Sequence, residues 1–348
     1  MTEANGEVFV SQGSYFGTSG LFALNAANGN TIWSTQFSGV FSVNPPAYAA
    51  GNVYIQTGKG TSNPPPYLSA FNAQTGVLTF RNTFGAQWEN YYAPTPYAGN
   101  VYVDGGYYGG AYGFNGSNGN QLWFNSNLPQ YDQWTPAVDD KYVYTYLGEY
   151  SPALYVLNRN TGTTAFSIAD SGFDWNGWSM DEAVVLGGDQ DAIAIQSGRL
   201  LKFDLASHAI AWQIARGFVG QATVANGVIY ADDAGTLEAW SASTGSLMWS
   251  WAPPGNGSIT GNIVATNSHV FVENSTNIFA VDLNTHLTAW TGTGSGSLAL
   301  SEGVLYAVNG GQLLAFTATP EPSAIALLGL FTLCLIPFAR HRPRPWRR

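Results

Sequence analysis

Charged residues are scarce in this 348-residue chain. They make up 10% of it, against about 25% in an average soluble domain. Basic residues are the rarer sign, because residues 1–319 contain seven Lys or Arg and 21 Asp or Glu, a net charge of −14. A protein that binds nucleic acid needs a basic face for the phosphates. The sequence therefore argues against nucleic acid as a partner.

Cysteine is absent from most of the chain, and the first residues do not resemble a signal peptide. The single Cys334 lies near the C-terminus, so the rest has no disulfide and no thiol chemistry. Residues 1–7 have neither the basic start nor the apolar core of a secretory signal peptide. Because the chain also begins halfway through the repeat described next, we expect its native N-terminus to be missing and its first unit to be open.

A nine-residue stretch recurs along the chain. A polar residue opens a turn, and an aromatic residue eight positions later ends a short strand. Seven copies share this spacing: Asn25 to Trp33, Asn72 to Phe80, Asn115 to Trp123, Asn158 to Phe166, Asp204 to Trp212, Ser241 to Trp249 and Asp282 to Trp290. Five copies have Gly four positions after the opening residue, where the turn needs a positive φ, and His208 and His286 replace it in the other two. The opening side chain can hydrogen-bond the backbone of the turn.

Each copy is the second half of a longer unit. A short Pro-Ala-Val strand, a Val-Tyr strand and a Leu-x-Ala-aromatic strand precede the turn, as in Thr135–Val138, Val143-Tyr144 and Leu237–Trp240. The units are 37 to 47 residues long, measured between closing aromatics. Four short strands at this period are typical of a propeller blade, in which stacking buries both faces of each small sheet. The closing aromatic would fill the wedge between neighbouring blades.

The repeat resembles the pyrroloquinoline-quinone-type (PQQ-like) propeller repeat. The closest copies of its pattern are residues 51–80, 135–166 and 227–249, and the resemblance covers residues 8–316. It implies an all-β propeller of four-stranded blades. Eight Val-Tyr/Leu-Ala hairpins, the last running from Val304 to Phe316, favour eight blades, with seven as the alternative. We assign residues 1–316 to this propeller.

Aromatic and polar residues are interleaved in the loops of units three to five. These loops enter the first strand or join the second and third, so a meander brings them to one end of the propeller. We predict that they bind glycan, because ring faces suit the C–H face of a sugar and polar groups suit its hydroxyls. The candidate residues are Trp88, Tyr91, Tyr92, Tyr107, Tyr108, Tyr131, Trp134, Trp175 and Trp178. The plainer alternative is that these side chains cap the propeller and pack on one another. The nearby carboxylates lack Asp-x-Asp-x-Asp spacing, so we expect no metal site.

The C-terminal region departs from the repeat. Residues 317–323 form a linker that contains Pro320, Glu321 and Pro322, and residues 324–348 combine an uncharged apolar stretch with an Arg-rich end. The stretch and its basic end predict a transmembrane helix with a cytoplasmic tail. The whole arrangement resembles the PEP-CTERM sorting signal. That resemblance implies a Gram-negative bacterium, an inner-membrane precursor cleaved by exosortase, and a mature protein at the cell surface or in the extracellular matrix.

The function that we expect from the sequence is non-enzymatic binding of extracellular polysaccharide or another matrix component, without a cofactor. An alternative is a protein-binding assembly scaffold of the cell envelope. A more remote alternative is a quinone-dependent dehydrogenase. The resemblance to such enzymes would imply a Cys-Cys disulfide over the cofactor, and the chain has only Cys334. A scaffold should present an exposed apolar patch, whereas a glycan-binding protein should use its aromatic loops.

Overall fold

The structure is a computed structural model, and it contains only strands, turns and loops in the residues that it describes. These are residues 1–12, 19–58, 65–85, 93–105, 110–128, 135–148, 151–174, 183–188, 190–255, 257–309 and 311–317. The predicted transmembrane helix at 324–348 lies outside them. Within the described ranges, no helix is long and apolar enough to cross a membrane.

The strands follow the order of the chain as successive antiparallel meanders. The first four units contain β1 Thr2–Ala4, β2 Glu7–Gln12, β3 Ser19–Asn25, β4 Thr31–Phe37, β5 Ala47–Ala49, β6 Asn52–Gln56, β7 Tyr67–Asn72, β8 Leu78–Thr83, β9 Thr95–Tyr97, β10 Asn100–Asp104, β11 Ala111–Asn115, β12 Gln121–Asn125, β13 Ala137–Val138, β14 Tyr142–Leu147, β15 Ala153–Asn158 and β16 Thr164–Ala169. Each of these four units is a separate four-stranded sheet.

The second half of the chain continues the pattern. Its strands are β17 Val185–Gly188, β18 Asp191–Gln196, β19 Gly198–Asp204, β20 Ala209–Ala225, β21 Val228–Asp233, β22 Thr236–Ser241, β23 Leu247–Trp251, β24 Thr260–Ala265, β25 His269–Glu273, β26 Asn277–Asp282, β27 Thr288–Thr293, β28 Ser297–Ser301, β29 Val304–Asn309 and β30 Gln312–Thr317. β17 to β23 form one seven-stranded sheet, β24 to β27 a four-stranded sheet, and β28 to β30 a three-stranded sheet.

The long strand β20 joins the fifth and sixth units. Residues 209–215 pair with β19 as the last strand of unit five, and residues 218–225 pair with β21 as the first strand of unit six. The chain therefore passes from one unit to the next without a loop. The seven-stranded sheet is two four-stranded units that share one strand.

The units follow one another around a closed ring. Buried apolar side chains form a cluster between each pair of neighbours, and one such cluster joins Val8, Val10 and Leu24 of the first sheet to Tyr306 and Leu313 of the last. The second strands are the most deeply buried, since they lie in the middle of each sheet and are covered on both faces. This arrangement agrees with the predicted all-β propeller of four-stranded blades.

The predicted turn geometry is confirmed at all seven copies. The five Gly residues have φ between 67° and 73°, and His208 and His286 have φ of 55° and 58°. The opening side chain accepts a backbone N–H inside the turn in every copy, as Asn115 Oδ1 does from Ser117 N at 2.9 Å. Local chemistry therefore sets this turn wherever the repeat occurs.

The predicted wedge is also confirmed, and its partner is the turn of the next unit. Trp123 covers Gly162 of unit four and donates its Nε1–H to Arg159 O at 2.9 Å. Trp33 makes the corresponding contact with Gly76 and donates to Ala73 O at 2.5 Å. Gly is needed at these turns because a Cβ would collide with the ring.

The two histidines extend the same contact. His208 stacks on Phe166 with ring centroids 3.8 Å apart, and His286 stacks on Trp249 at 4.6 Å. Both imidazoles occupy the turn position that Gly holds elsewhere. In these two copies His therefore replaces Gly with a flat ring that packs on the preceding unit's aromatic residue.

Two details of the sequence analysis are wrong. The closing aromatic does not end its strand, because β12 continues past Trp123 while Phe124 and Asn125 pair with Tyr112 and Ala111. The first sheet is also not open. Thr2–Ala4 pairs with β2 across a two-residue turn, Asn5-Gly6, in which both residues have positive φ.

We expect Trp123→Ala to destabilise the fold by about 3–5 kcal/mol, because it empties the wedge between two sheets and removes a hydrogen bond. Leu122→Ala changes the adjacent residue of the same strand, which is 46% exposed, and should cost less than about 1 kcal/mol. Urea unfolding monitored by circular dichroism measures both. Equal losses in the two variants would contradict this account of the wedge.

Candidate functional site

The predicted glycan-binding residues lie outside the described part of the chain. This holds for all nine, namely Trp88, Tyr91, Tyr92, Tyr107, Tyr108, Tyr131, Trp134, Trp175 and Trp178, and also for Pro320, Glu321 and Pro322. The residues that flank the loops are described. Phe84 N bonds Pro66 O at 3.1 Å, and Asp170 N bonds Pro152 O at 3.0 Å. The loops that carry the predicted residues therefore leave from the same end of the sheets, which we call the loop face.

A set of buried polar side chains lies just beneath the loop face. Each stands two residues after the aromatic or equivalent residue of a second strand: Gln56, Asp104, Tyr146, Asp232 and Glu273. Several of them connect elements of the loop face. Gln56 Nε2 donates to Asp104 O of the next unit at 3.0 Å, and Glu273 accepts the backbone N–H of Gly296. The sequence analysis missed this set, although its fixed offset from the Val-Tyr pair would have identified it.

An ion pair joins the fourth and fifth units at this level. Arg199 Nη2 lies 2.6 Å from Asp170 Oδ2, and its Nη1 lies 3.1 Å from Asp170 Oδ1, so the contact is bidentate. The Tyr146 hydroxyl also donates to Asp170. Burial by itself would raise the pKa of Asp170, but hydrogen bonds from Arg199 and Tyr146 outweigh it and hold that pKa below its usual value.

A second ion pair lies where β20 passes from one unit to the next. Arg216 Nη2 is 2.6 Å from Asp233 Oδ2, and its Nη1 is 3.1 Å from Glu238 Oε2. The guanidinium also lies over the Trp240 ring, 5.7 Å from its centroid. Burial raises the pKa of Glu238, with Arg216 acting in the opposite direction. Asp233 and Glu238 therefore share one cationic partner, Arg216.

A cleft of about 600 Å³ opens among the first strands of units six, seven and eight. Its walls include Val219 and Gln221 of β20, Thr260 of β24, and Leu298 of β28. Asn262 fixes the wall between β24 and β28, because its amide donates to Leu298 O at 2.8 Å and accepts from Leu298 N at 2.7 Å. The Asn262 amide therefore holds β24 and β28 together at this wall of the cleft.

Matched bulges shape two walls of this cleft. β20 shifts register against β21 between Val219 and Thr223, and β24 shifts against β25 between Thr260 and Val264. Gly220 and Gly261, at φ of 70° and 76°, stand at the same place in the two bulges. Bulges of this kind occur preferentially beside functional sites, where they redirect the backbone.

Asp232 is the carboxylic acid of the cleft wall. Its residue is 7% exposed, and its Oδ1 accepts the Gly235 N–H at 2.6 Å. Burial, with a smaller contribution from the neighbouring Asp233 charge, raises its pKa to about 6, while the Gly235 bond opposes the rise. The Asp232 carboxyl is therefore only partly ionised in mildly acidic solution.

Comparison with known proteins gives the family. A family model described as "Outer membrane protein assembly factor BamB" matches residues 17–250 and 196–327. The chain belongs to this family. A search of the curated proteins found no match.

Solved structures share the fold of this BamB-family chain. The crystal structure of BamB from Moraxella catarrhalis is 14% identical, with a TM-score of 0.64, and the match covers 90% of this chain and 92% of that chain. A europium-containing methanol dehydrogenase is 12% identical, with a TM-score of 0.65 and coverage of 90% and 81%. A quinohemoprotein alcohol dehydrogenase from Pseudomonas putida HK5 is also 12% identical, with a TM-score of 0.60 and coverage of 90% and 69%. At these identities the likeness shows the fold and not the activity.

No metal-binding cluster of three or more His, Cys, Asp or Glu side chains comes together among the residues whose positions are described. The histidines in this part of the chain serve other roles. His208 and His286 stack on aromatic rings, and His269 Nδ1 is 2.9 Å from Ser268 Oγ.

We expect Asp170→Asn to destabilise the protein by about 3 kcal/mol at pH 7, because it leaves the mostly buried Arg199 without its anion. The folded-state pKa of Asp170 is lowered, so the stabilisation is present above pH 4 and is lost as the pH falls. Asp191→Asn removes the more exposed pair with Lys202 and should cost less than about 1 kcal/mol. Urea unfolding between pH 3 and 7 measures both, and an Asp170 effect that persists unchanged at pH 3 would contradict the assignment.

Asp232→Asn should have the opposite effect on the free energy of unfolding. The pKa of Asp232 is raised from 3.8 to about 6, so the carboxyl holds its proton more strongly in the folded state, and stability is lost as the pH rises through 6. The Asn variant should therefore melt above the wild type at pH 7.5, by about 2 °C, with a smaller difference at pH 4. Thermal unfolding at both pH values is the measurement. A variant that melts below the wild type at pH 7.5 would show that the ionised form stabilises the fold.

Proposed function

We propose that this protein is a non-enzymatic, protein-binding scaffold of the bacterial envelope, built on an eight-bladed propeller. The observation that carries the proposal is the match of more than half of the chain to a family described as an outer membrane protein assembly factor. It favours the envelope scaffold over the polysaccharide binding that the aromatic loops suggest. The eight second-to-third-strand hairpins and the shared strand β20 support the count of eight blades.

The outer edges of the sheets support a protein partner. Large apolar side chains are exposed there, on the fourth strands or on the turns that lead into them: Ile32, Val77, Leu78, Leu122, Phe124, Leu247, Met248 and Leu287. Met248 is 55% exposed and stands next to Trp249, whose ring is engaged in the wedge. These side chains stand singly or in pairs on the units, and exposed apolar pairs such as Leu247 and Met248 offer contact area to a protein partner.

We propose that the C-terminal region is a sorting signal. The helix of residues 324–348 would anchor the protein in the inner membrane. An exosortase would then cleave at or near Pro320, Glu321 and Pro322 and release the protein to the cell surface or matrix. The order of the Pro-Glu-Pro motif, the apolar stretch and the Arg-rich end supports this route. Delivery to the envelope is compatible with a scaffold and with a glycan-binding protein alike.

We expect a photo-crosslinking residue at Met248 to capture one defined envelope protein in the host cell. The matched control is the same residue at Ala211, which occupies the equivalent, exposed position of unit five. Binding of the purified partner should weaken at least tenfold in Leu247→Ser/Met248→Ser, because apolar contact area is lost, and should be unchanged in Ala211→Ser.

Affinity electrophoresis in the host's own polysaccharide distinguishes the alternative. Retardation that is lost in Trp88→Ala/Trp134→Ala/Trp175→Ala, together with no defined protein captured through Met248, would replace the scaffold with a glycan-binding protein.

A further inference from the structure

Among the described residues, Asp232 has no cationic partner, unlike its neighbours Asp233 and Glu238. Glu273, the corresponding residue of unit seven, has none there either, but it is not one of the residues that line the cleft. Asp233 and Glu238 share Arg216 at 2.6 and 3.1 Å. The other basic side chains of units five and six are also engaged, since Arg199 pairs with Asp170 and Lys202 with Asp191. Within the described ranges, Asp232 accepts a hydrogen bond from an uncharged backbone group, Gly235 N–H.

The surroundings of Asp232 suit a charged donor that comes from outside. The carboxyl lines the 600 Å³ cleft, beside the uncharged side chains of Gln221, Thr260 and Ser297. A buried carboxylate without a cation is unfavourable, and a cation brought to it recovers that free energy. Hydroxyl and amide oxygens around the carboxylate provide further acceptors for the N–H groups of such a donor.

The apolar part of the cleft fits the stem of a long side chain. Ile259 and Leu298 line its walls, and Val219 lies at its edge with 48% of its surface exposed. Arginine and lysine carry an apolar stem and a charged end, so they can cover such a surface while the head group reaches a carboxylate. A neutral sugar would leave the charge of Asp232 uncompensated, and one carboxylate is too few for a hard cation that needs several oxygen ligands.

We propose that the cleft among units six to eight receives an arginine or lysine side chain from an extended segment of the partner protein, with Asp232 as the anion that pairs with it. The proposal rests on the scaffold function and names the chemistry of its partner. The bulge at Gly220 leaves room for the backbone of that segment, because a Cβ there would meet nothing closer than Gly261 O at 3.9 Å. The outer apolar strands would then supply area, and the cleft would supply specificity.

Two short peptides test the proposal on the full chain in mild detergent. They are acetyl-Gly-Arg-Gly-amide and acetyl-Gly-citrulline-Gly-amide, which have nearly the same shape and differ in charge. The arginine peptide should bind at least tenfold more tightly at pH 7.5, as followed by peptide-observed nuclear magnetic resonance titration. Its affinity should fall at least threefold between pH 7.5 and 5, as Asp232 takes up a proton beside the Arg216, Asp233 and Glu238 group.

Two charge-neutralising variants identify the carboxylate. Asp232→Asn should remove the preference for arginine. Asp104→Asn makes the same change at the equivalent buried position of unit three, which is not one of the residues that line the cleft, and should leave the preference intact. Equal affinity for the two peptides, or equal losses in the two variants, would overturn the proposal, because the first shows no charge recognition and the second only a general surface charge.

A further outcome would overturn it in favour of another ligand. A neutral oligosaccharide that binds, and loses binding in Asp232→Asn while the arginine peptide has no effect, would make the cleft a glycan site. Failure of the peptide test alone leaves the scaffold function standing, since that function is tested by crosslinking at the outer strands and not at the cleft.

Discussion

The contact between a closing aromatic residue and the next unit's turn, described for six of the seven copies, is the interaction on which the ring depends. A single four-stranded sheet exposes two apolar faces, so it cannot be stable alone. Trp123 shows how the repeat solves this, because its ring covers Gly162 and its indole nitrogen bonds Arg159 O across the gap between two sheets. The turn must have a flat upper surface for this contact. Among the described contacts, Gly provides that surface in four copies, and the imidazoles of His208 and His286 provide it in two.

The wedge contacts involve the fourth strands and the turns before them, so they do not constrain the connections of the loop face. These connections differ between the two halves of the ring. Units two to five carry the long connections, whereas units six to eight keep short ones and form a defined cleft among β20, β24 and β28. The ion pair of Asp170 with Arg199 and the triad of Arg216, Asp233 and Glu238 join neighbouring units beneath these surfaces. Neighbouring sheets are thus joined by ion pairs beneath the loop face and by aromatic packing at the fourth strands.

Much of the fold could be predicted because the information is local. A polar residue followed four residues later by Gly predicts a turn with a positive φ. The five copies with this Gly adopt it, and so do the two with His208 and His286. The alternation of the strands predicts a meander. The fusion of two units through β20 was not predictable, since nothing in Arg216-Gly217 distinguishes a continuing strand from a short connection. The candidate site was predicted only as a set of aromatic loops, while the buried polar set of Gln56, Asp104 and Glu273 was missed.

The sequence by itself determined the repeat, its turns and the class of fold. The turns and short strands follow from residues less than about ten positions apart, where side-chain and backbone chemistry act directly, and their recurrence along the chain shows the repeat. The tertiary structure decided which groups meet across units. Trp33 finds Ala73 O forty residues away, and Arg199 finds Asp170 across a sheet boundary. It also decided that Arg216 pairs with Asp233 and Glu238 while Asp232 lines the cleft without a basic partner among the described residues. Adjacent residues of one strand point to opposite faces of the sheet, so Asp232 and Asp233 acquire different surroundings only when the neighbouring units close around them.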